Sequence, residues 1–110
     1  MKIRKTKQVS KALLLEIVDG KKQIGRCYLY LIYNQLHKRP YGFLEDLFIN
    51  EDYRGQGLGS QLIGLAIAEA KKLRCYKLLA TSRFSNKTAH KLYNRFGFKK
   101  HGAEFRMELK

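Results

Sequence analysis

Three glycines at alternate positions, Gly55, Gly57 and Gly59, stand at the head of an apolar repeat. Glycine costs a helix about 1 kcal/mol per residue relative to alanine, so their place there asks for a chemical reason. A helix N-terminus presents unpaired backbone N–H groups and the positive end of the dipole, and it binds phosphate. Glycines keep side chains out of the way where a diphosphate touches the backbone. A strand, a glycine loop and a helix in that order are the setting for such a site. Two known versions fail on spacing. The pattern G-x-x-x-x-G-K-[ST] fails because no lysine follows Gly59, and G-x-G-x-x-G fails because its third glycine falls on Ser60 or Leu62.

Other reactive side chains are sparse. Glu45, Asp46, Glu51 and Asp52 place four of the nine acids within eight residues. Cys27 and Cys75 are far apart with no second Cys or His at metal-ligand spacing, so they are expected to be reduced core or strand residues of a reducing, cytoplasmic compartment. No metal site is expected. His37, His90 and His101 fall in loops or on a polar helix face and are expected at the surface.

The elements that must position these residues belong to one domain, since 110 residues hold too little core for two. The chain is 45% apolar and 12% aromatic, which argues for a packed globule rather than disorder. No run approaches the ~18 apolar residues of a membrane span. The basic start, residues 1–11, is expected to be a tail rather than a signal peptide, because Glu16 interrupts the short apolar run that follows. Residues 12–110 form the domain. With 23 Lys and Arg against 9 Asp and Glu, the formal charge of +14 attracts anions of every kind.

Residues 12–18 and 24–33 read as strands of a hairpin about Asp19-Gly20. Residues 34–42 read as a polar loop and 43–49 as a third strand. On regular alternation that strand carries Phe43, Glu45, Leu47 and Ile49 on one face and Leu44, Asp46 and Phe48 on the other. Leu58, Leu62, Ala66 and Ala70 recur at i+4 and predict a helix over about 58–73. Residues 76–82 read as a buried strand. Ser85 or Asn86 caps a second helix with Ala89, Leu92, Tyr93 and Phe96 inward, stopped by Gly97. The alternation of Ala103, Phe105, Met107 and Leu109 with Glu104, Arg106 and Glu108 predicts a closing strand. The order β-β-β-α-β-α-β-β gives an α/β or α+β fold with a mixed sheet.

Arg54-Gly55-Gln56-Gly57-Leu58-Gly59 resembles the R/Q-x-x-G-x-G/A loop of the GNAT superfamily of N-acetyltransferases, and "SNKTAHKLYNRFGF" at 85–98 resembles its second signature, N-x-x-A-x-x-[LF]-Y-x-x-x-G-F. The two motifs stand in the right order, and the likeness covers roughly residues 12–109. It implies a mostly antiparallel sheet whose central parallel pair splays around acetyl-coenzyme A, flanked by two helices. Backbone of Leu47, Phe48 and Ile49 would pair with the pantetheine arm, and N–H groups from Gly55 through Gln56, Gly57, Leu58 and Gly59 to Ser60 would hold the diphosphate. Arg54 would anchor the loop or lie near the phosphates. Asn86 would touch the cofactor arm, a role compatible with an N-cap.

The resemblance also implies that Tyr93 lies beside the thioester sulfur and protonates the departing thiolate; by sequence alone it is equally a core residue. An alkylamine with pKa about 10.4 is neutral in fewer than ~1 in 1,000 molecules at pH 7, so transfer to it needs a proton acceptor. Glu45 is the candidate, and "LEDLFINEDYRGQGLGS" resembles the polyamine and thialysine acetyltransferase branch. Superfamily members generally carry a first strand and one or two helices before the hairpin, which this sequence lacks. Either the acceptor site is open to a small amine, a polyamine or a protein tail, or a second subunit in a homodimer completes it. Two other classes stay open: a non-catalytic coenzyme A-binding regulatory module, and a nucleic-acid- or ribosome-associated protein gripping through Lys2, Arg4, Lys5, Lys7 and Lys11.

Overall fold

The computed structural model describes residues 1–34 and 37–109; Gln35 and Leu36, within the loop expected over 34–42, lie outside the described residues. Strands β1 (Lys11–Asp19) and β2 (Lys22–Ile32) form the expected hairpin. Asp19 pairs with Lys22, so the loop is Gly20 and Lys21, with Gly20 at φ +61°. A two-residue loop with positive φ at its first position is one that glycine enters without steric cost. Strand β3 (Tyr41–Ile49) pairs antiparallel with β2, and the short β4 (Leu78–Ala80) pairs parallel with β3. The sheet order is β1-β2-β3-β4, a mixed sheet as expected.

Helix α1 (Leu58–Lys72) connects β3 to β4 and buries Leu62, Ile63, Ala66 and Ala70. These sit at the helical spacing the sequence shows, and they pack against Cys27 and Leu44 and beside Leu29 and Leu31. Truncating one of these leucines to alanine removes about 2–5 kcal/mol. Helix α2 (Lys87–Arg95) is capped by Asn86, whose side chain accepts from the Ala89 N–H at 3.1 Å. It is stopped by Gly97 at φ +92°. Leu92, Tyr93 and Phe98 pack on the α1 side of the sheet. The opposite face, with Leu14, Tyr28, Tyr30 and Phe43, carries no helix among the described residues.

Three expectations are corrected. The strands expected after α2 do not form: residues 98–109 have no regular structure, and Phe105, Met107 and Leu109 are 95%, 80% and 85% exposed. Alternation permits a strand, but a strand exists only through pairing. With it absent, the parallel pair lies at the sheet edge, with β4 outermost, rather than at the centre. The third correction concerns β3. Arg26 pairs with Phe48 and Tyr28 with Glu45, so Asp46 and Leu47 together face Cys27 alone, and Asp46 takes φ +57°. That is a β-bulge, and one extra residue exchanges the two faces of a strand. Leu44, Leu47 and Ile49 therefore pack on the core, while Glu45 and Phe48 stand on the helix-free face. Glu45 does not share a face with Leu47 and Ile49, as regular alternation required.

Candidate active site

The site is built where β3 outlasts its neighbour. Parallel pairing runs from Gly42/Leu78 to Leu44/Ala80 and stops there because β4 ends. From Glu45 to Ile49, β3 keeps β2 on one side and has no strand partner on the other among the described residues. Leu47, Phe48 and Ile49, the backbone expected to pair with an extended ligand, lie in this stretch.

The chain then enters a 3-10 turn, Glu51–Tyr53, held at its start by the Asn50 side chain accepting from the Asp52 N–H at 3.0 Å. The Tyr53 hydroxyl donates to Asp19 at 3.2 Å and fastens the turn to the β1–β2 hairpin. Arg54 Nε donates to the Ile49 carbonyl at 2.8 Å, and its guanidinium lies 5.6 Å from the Phe48 ring. Arg54 thus anchors the loop to the end of β3, one of its two expected roles.

Gly55 and Gly57 sit at φ +81° and +80°, and a Cβ on either would meet no atom within 4 Å. At these two positions glycine is required by the left-handed backbone, not by crowding. The cost of alanine at such a φ is about 1–2 kcal/mol. Gly57→Ala should therefore lower the stability of the free protein by that amount, read as a lowered urea midpoint at unchanged slope. Gly59 has an ordinary φ, and a Cβ there would make only an ordinary 3.5 Å contact with Leu92 Cδ2, where α2 passes α1. Gly57 is the N-cap of α1 without a side-chain hydrogen bond, and the first turn carries no acid. The first N–H groups of α1 are left to other partners, and the dipole there favours an anion.

Two side chains frame this helix end. Arg95 Nη2 donates to Ser60 Oγ at 3.2 Å, bringing a guanidinium from α2 to the glycine loop. Sequence reading missed Arg95; its only signal is its place three residues after Leu92, on the side of α2 that meets Gly59. Asn86 is occupied as the α2 cap. The His90 ring, one turn on, bonds the Arg83 carbonyl at 2.9 Å through Nε2 and holds the β4–α2 connection.

Tyr93 and Glu45 are on opposite faces of the sheet. The Tyr93 ring packs at 5.3 Å from Phe98 and against the core. Its hydroxyl has no hydrogen-bond partner among the described residues, yet no buried side-chain polar atom there goes unsatisfied, so it keeps access to solvent. Burial raises its pKa above the ordinary value of 10, and the nearby Cys27 thiol adds to the rise. Cys27, opposite the bulge, is itself pushed up to about 11 by burial. Both groups stay protonated at neutral pH. Cys27 and Cys75 are free.

Glu45 lines an open groove of about 270 Å³ with Ser10, Tyr30, Ile32 and Phe43. It has no ion pair or hydrogen bond among the described residues. Asp46 differs: Arg26 donates to it at 2.9 and 3.4 Å, and the same guanidinium lies 4.8 Å from the Phe48 ring. Its carboxylate reaches the Tyr28 side of β2, not the face opposite Glu45 that alternation gave it. The bulge therefore leaves one carboxylate pinned and its neighbour free. Among the described residues no group of three His, Cys, Asp or Glu could hold a metal ion, and no helix is long and apolar enough to cross a membrane.

Comparison with known proteins adds the family. The chain is 35% identical over 75 residues to a spermine/spermidine N(1)-acetyltransferase of Bacillus subtilis, covering 67% of this chain and 49% of that protein. It is 31% identical over 71 residues to a glucosamine 6-phosphate N-acetyltransferase of Trypanosoma brucei brucei, covering 64% and 46%. It spans about half the length of these curated relatives. Among solved structures, a putative acetyltransferase from Agrobacterium tumefaciens superposes with a TM-score of 0.81 at 24% identity, over 89% of this chain and 69% of that one. The model of the acetyltransferase (GNAT) family matches residues 4–98, and the chain belongs to that family.

Proposed function

We propose that this domain is an N-acetyltransferase that moves an acetyl group directly from acetyl-coenzyme A to an amine. The observation that carries the reading is the end of β3/β4 pairing at Leu44/Ala80, beside an uncapped helix N-terminus behind two left-handed glycines. An extended, amide-bearing arm that ends in a diphosphate fits both features. The Leu47–Ile49 backbone would hold the arm, with the Ile49 carbonyl shared with Arg54. N–H groups from Gly55 to Ser60 would hold the diphosphate, with the Arg95 charge beside them. Asn86, the cap of α2, would touch the cofactor arm.

When bound, acetyl-coenzyme A would supply an activated acetyl thioester. Glu45, free and on the helix-free face, takes the proton that the attacking amine loses, directly or through one water. Tyr93, protonated and on the helix face, would be the group that gives a proton to the departing thiolate sulfur. A base and an acid on opposite sides of the strand opening suit a transfer in which the nucleophile arrives on one side and the leaving group departs on the other. The amine, whether small, a polyamine or a protein amine, enters over the Tyr30–Phe43–Glu45 groove. The free cysteines fit a reducing cytoplasm.

The test is thiol release from acetyl-coenzyme A across a panel of amines, polyamines and peptides, alongside calorimetric binding of coenzyme A. Turnover on at least one acceptor is expected. Binding without turnover on any acceptor would leave only a coenzyme A-binding module, and no binding at all would end the reading.

A further inference from the structure

The end of the molecule away from the glycine loop gathers cations around a stack of rings. Helix α1 separates the two: its 15 residues, at about 1.5 Å each, put its C-terminus about 22 Å from the loop. Backbone hydrogen bonds close this end. Tyr76 N–H donates to the Pro40 carbonyl at 3.0 Å, Gly42 N–H to the Lys77 carbonyl at 2.9 Å, and Cys75 N–H to the Ala70 carbonyl at 2.9 Å. They fasten the β2–β3 loop to the α1–β4 connection. Lys38, Arg39, Lys71, Lys72, Arg74 and Lys77 thereby share one region, all of them exposed. No acid occurs between Asp19 and Glu45 or between Glu69 and Glu104. None of the six cations has an ion pair among the described residues.

The rings lie among these charges. His37 and Tyr76 stack with centroids 4.0 Å apart, and Tyr41 meets Tyr76 edge-on at 6.0 Å. Lys77 Nζ lies 4.9 Å from the Tyr41 ring and 5.5 Å from the Tyr76 ring. His37 is exposed, which leaves the stack open at one end. Arg74 follows the C-cap of α1 at φ +63°, a left-handed position that glycine fills freely and arginine only under strain. Strained residues of this kind collect at functional sites. Lys71 and Lys72 complement the α1 dipole, but the dipole does not account for Lys38, Arg39 or Lys77, which come from outside the helix.

We propose that this end of the domain binds single-stranded nucleic acid, with the His37–Tyr76 stack taking a base and the surrounding cations taking phosphates. A basic surface alone attracts any anion. The open ring stack is what selects a strand with unpaired bases, because base–aromatic stacking adds to the charge term. An acidic peptide has no base to stack, and the bases of a duplex already stack on one another. The surface lies apart from the glycine loop, so the two can be occupied together.

The experiment is fluorescence anisotropy of the full chain at pH 8 with labelled single strands of about 12 nucleotides, RNA and DNA of one sequence. The matching duplex and polyglutamate serve as competitors, with and without coenzyme A. Single-strand binding is expected, tighter than that of duplex or polyglutamate and indifferent to coenzyme A; the preference between RNA and DNA identifies the source. Log K should fall with log salt at a slope of about −3 to −4, at about 0.7 per phosphate for four to six contacts. His37→Ala should weaken binding about 5–150-fold at an unchanged slope, because it removes a stacking face. Lys38→Gln/Arg39→Gln/Lys72→Gln should flatten the slope by about 2. Lys2→Gln/Arg4→Gln/Lys5→Gln, in the N-terminal tail, should bind as the parent does. Arg74→Gly should bind less tightly while its urea midpoint holds or rises, which separates lost affinity from lost folding. No binding at about 50 mM salt overturns the proposal, as does equal affinity for duplex or polyglutamate. Displacement by coenzyme A, binding that depends on the tail, or parent-like binding by His37→Ala or the Lys38/Arg39/Lys72 variant also overturns it.

Discussion

Replacing Tyr93 by phenylalanine is expected to lower turnover by about 10²–10⁴-fold, the range that a positioned proton donor contributes. Coenzyme A affinity and thermal stability should change little. The reason is the division of the side chain between two environments. The ring packs on Phe98 and the core, and phenylalanine keeps all of that contact. The hydroxyl has no partner among the described residues, so its removal strands no donor or acceptor and leaves no cavity. What the variant loses is the proton. Burial first, and then the neighbouring Cys27, raise the Tyr93 pKa above 10. The donor form is therefore complete at pH 7 to 9, and any alkaline fall in kcat/KM that reports this group belongs above pH 10. Turnover measured beside calorimetric coenzyme A binding checks the split. A variant as fast as the parent would make Tyr93 a packing residue alone.

The legible parts of this fold were those in which local chemistry and tertiary packing agree. In the i+4 series Leu62, Ala66 and Ala70 are buried as their spacing requires, with Leu58 half-buried at the helix start, and Gly97 stops α2 at positive φ. Both follow from contacts within a few residues. The glycine loop is legible as a stretch whose backbone stays clear of side chains; not legible is that Gly55 and Gly57 also take a left-handed backbone, in open space.

The bulge at Asp46-Leu47 was not legible, because nothing in "FLEDLFI" breaks alternation. It arises from register with β2, where Cys27 faces two residues. That single non-local event moved Glu45 off the face of Leu47 and Ile49 and brought Asp46 to Arg26. The final strand failed in the opposite direction. Its alternation is the cleanest in the chain, yet alternation reports only what a strand would bury, not which edge receives it. Arg95 escaped notice because its relevance depends on the approach of α2 to the N-terminus of α1.

Glu45→Gln is the second large effect. The substitution keeps the shape of the side chain and removes only its ability to take a proton and to carry charge. At pH 7 transfer to an alkylamine should fall by about 10²–10⁴-fold. The loss should shrink as pH rises. Each pH unit below the amine pKa of about 10.4 costs tenfold in neutral amine, so raising pH supplies the deprotonated nucleophile that Glu45 otherwise generates, and the two rates converge toward pH 10. Asp46→Asn provides the contrast. Its carboxylate is held by Arg26 at a half-exposed position, where such a pair contributes about 0–1 kcal/mol. That variant should lose a little stability and keep the parent pH profile. The two adjacent acids differ because the bulge gives one of them a cation and leaves the other facing the groove. Parent and variant rates followed from pH 7 to pH 10 test this. A constant ratio across that range would mean that Glu45 positions the amine rather than accepting its proton, and equal rates at pH 7 would leave water as the only acceptor.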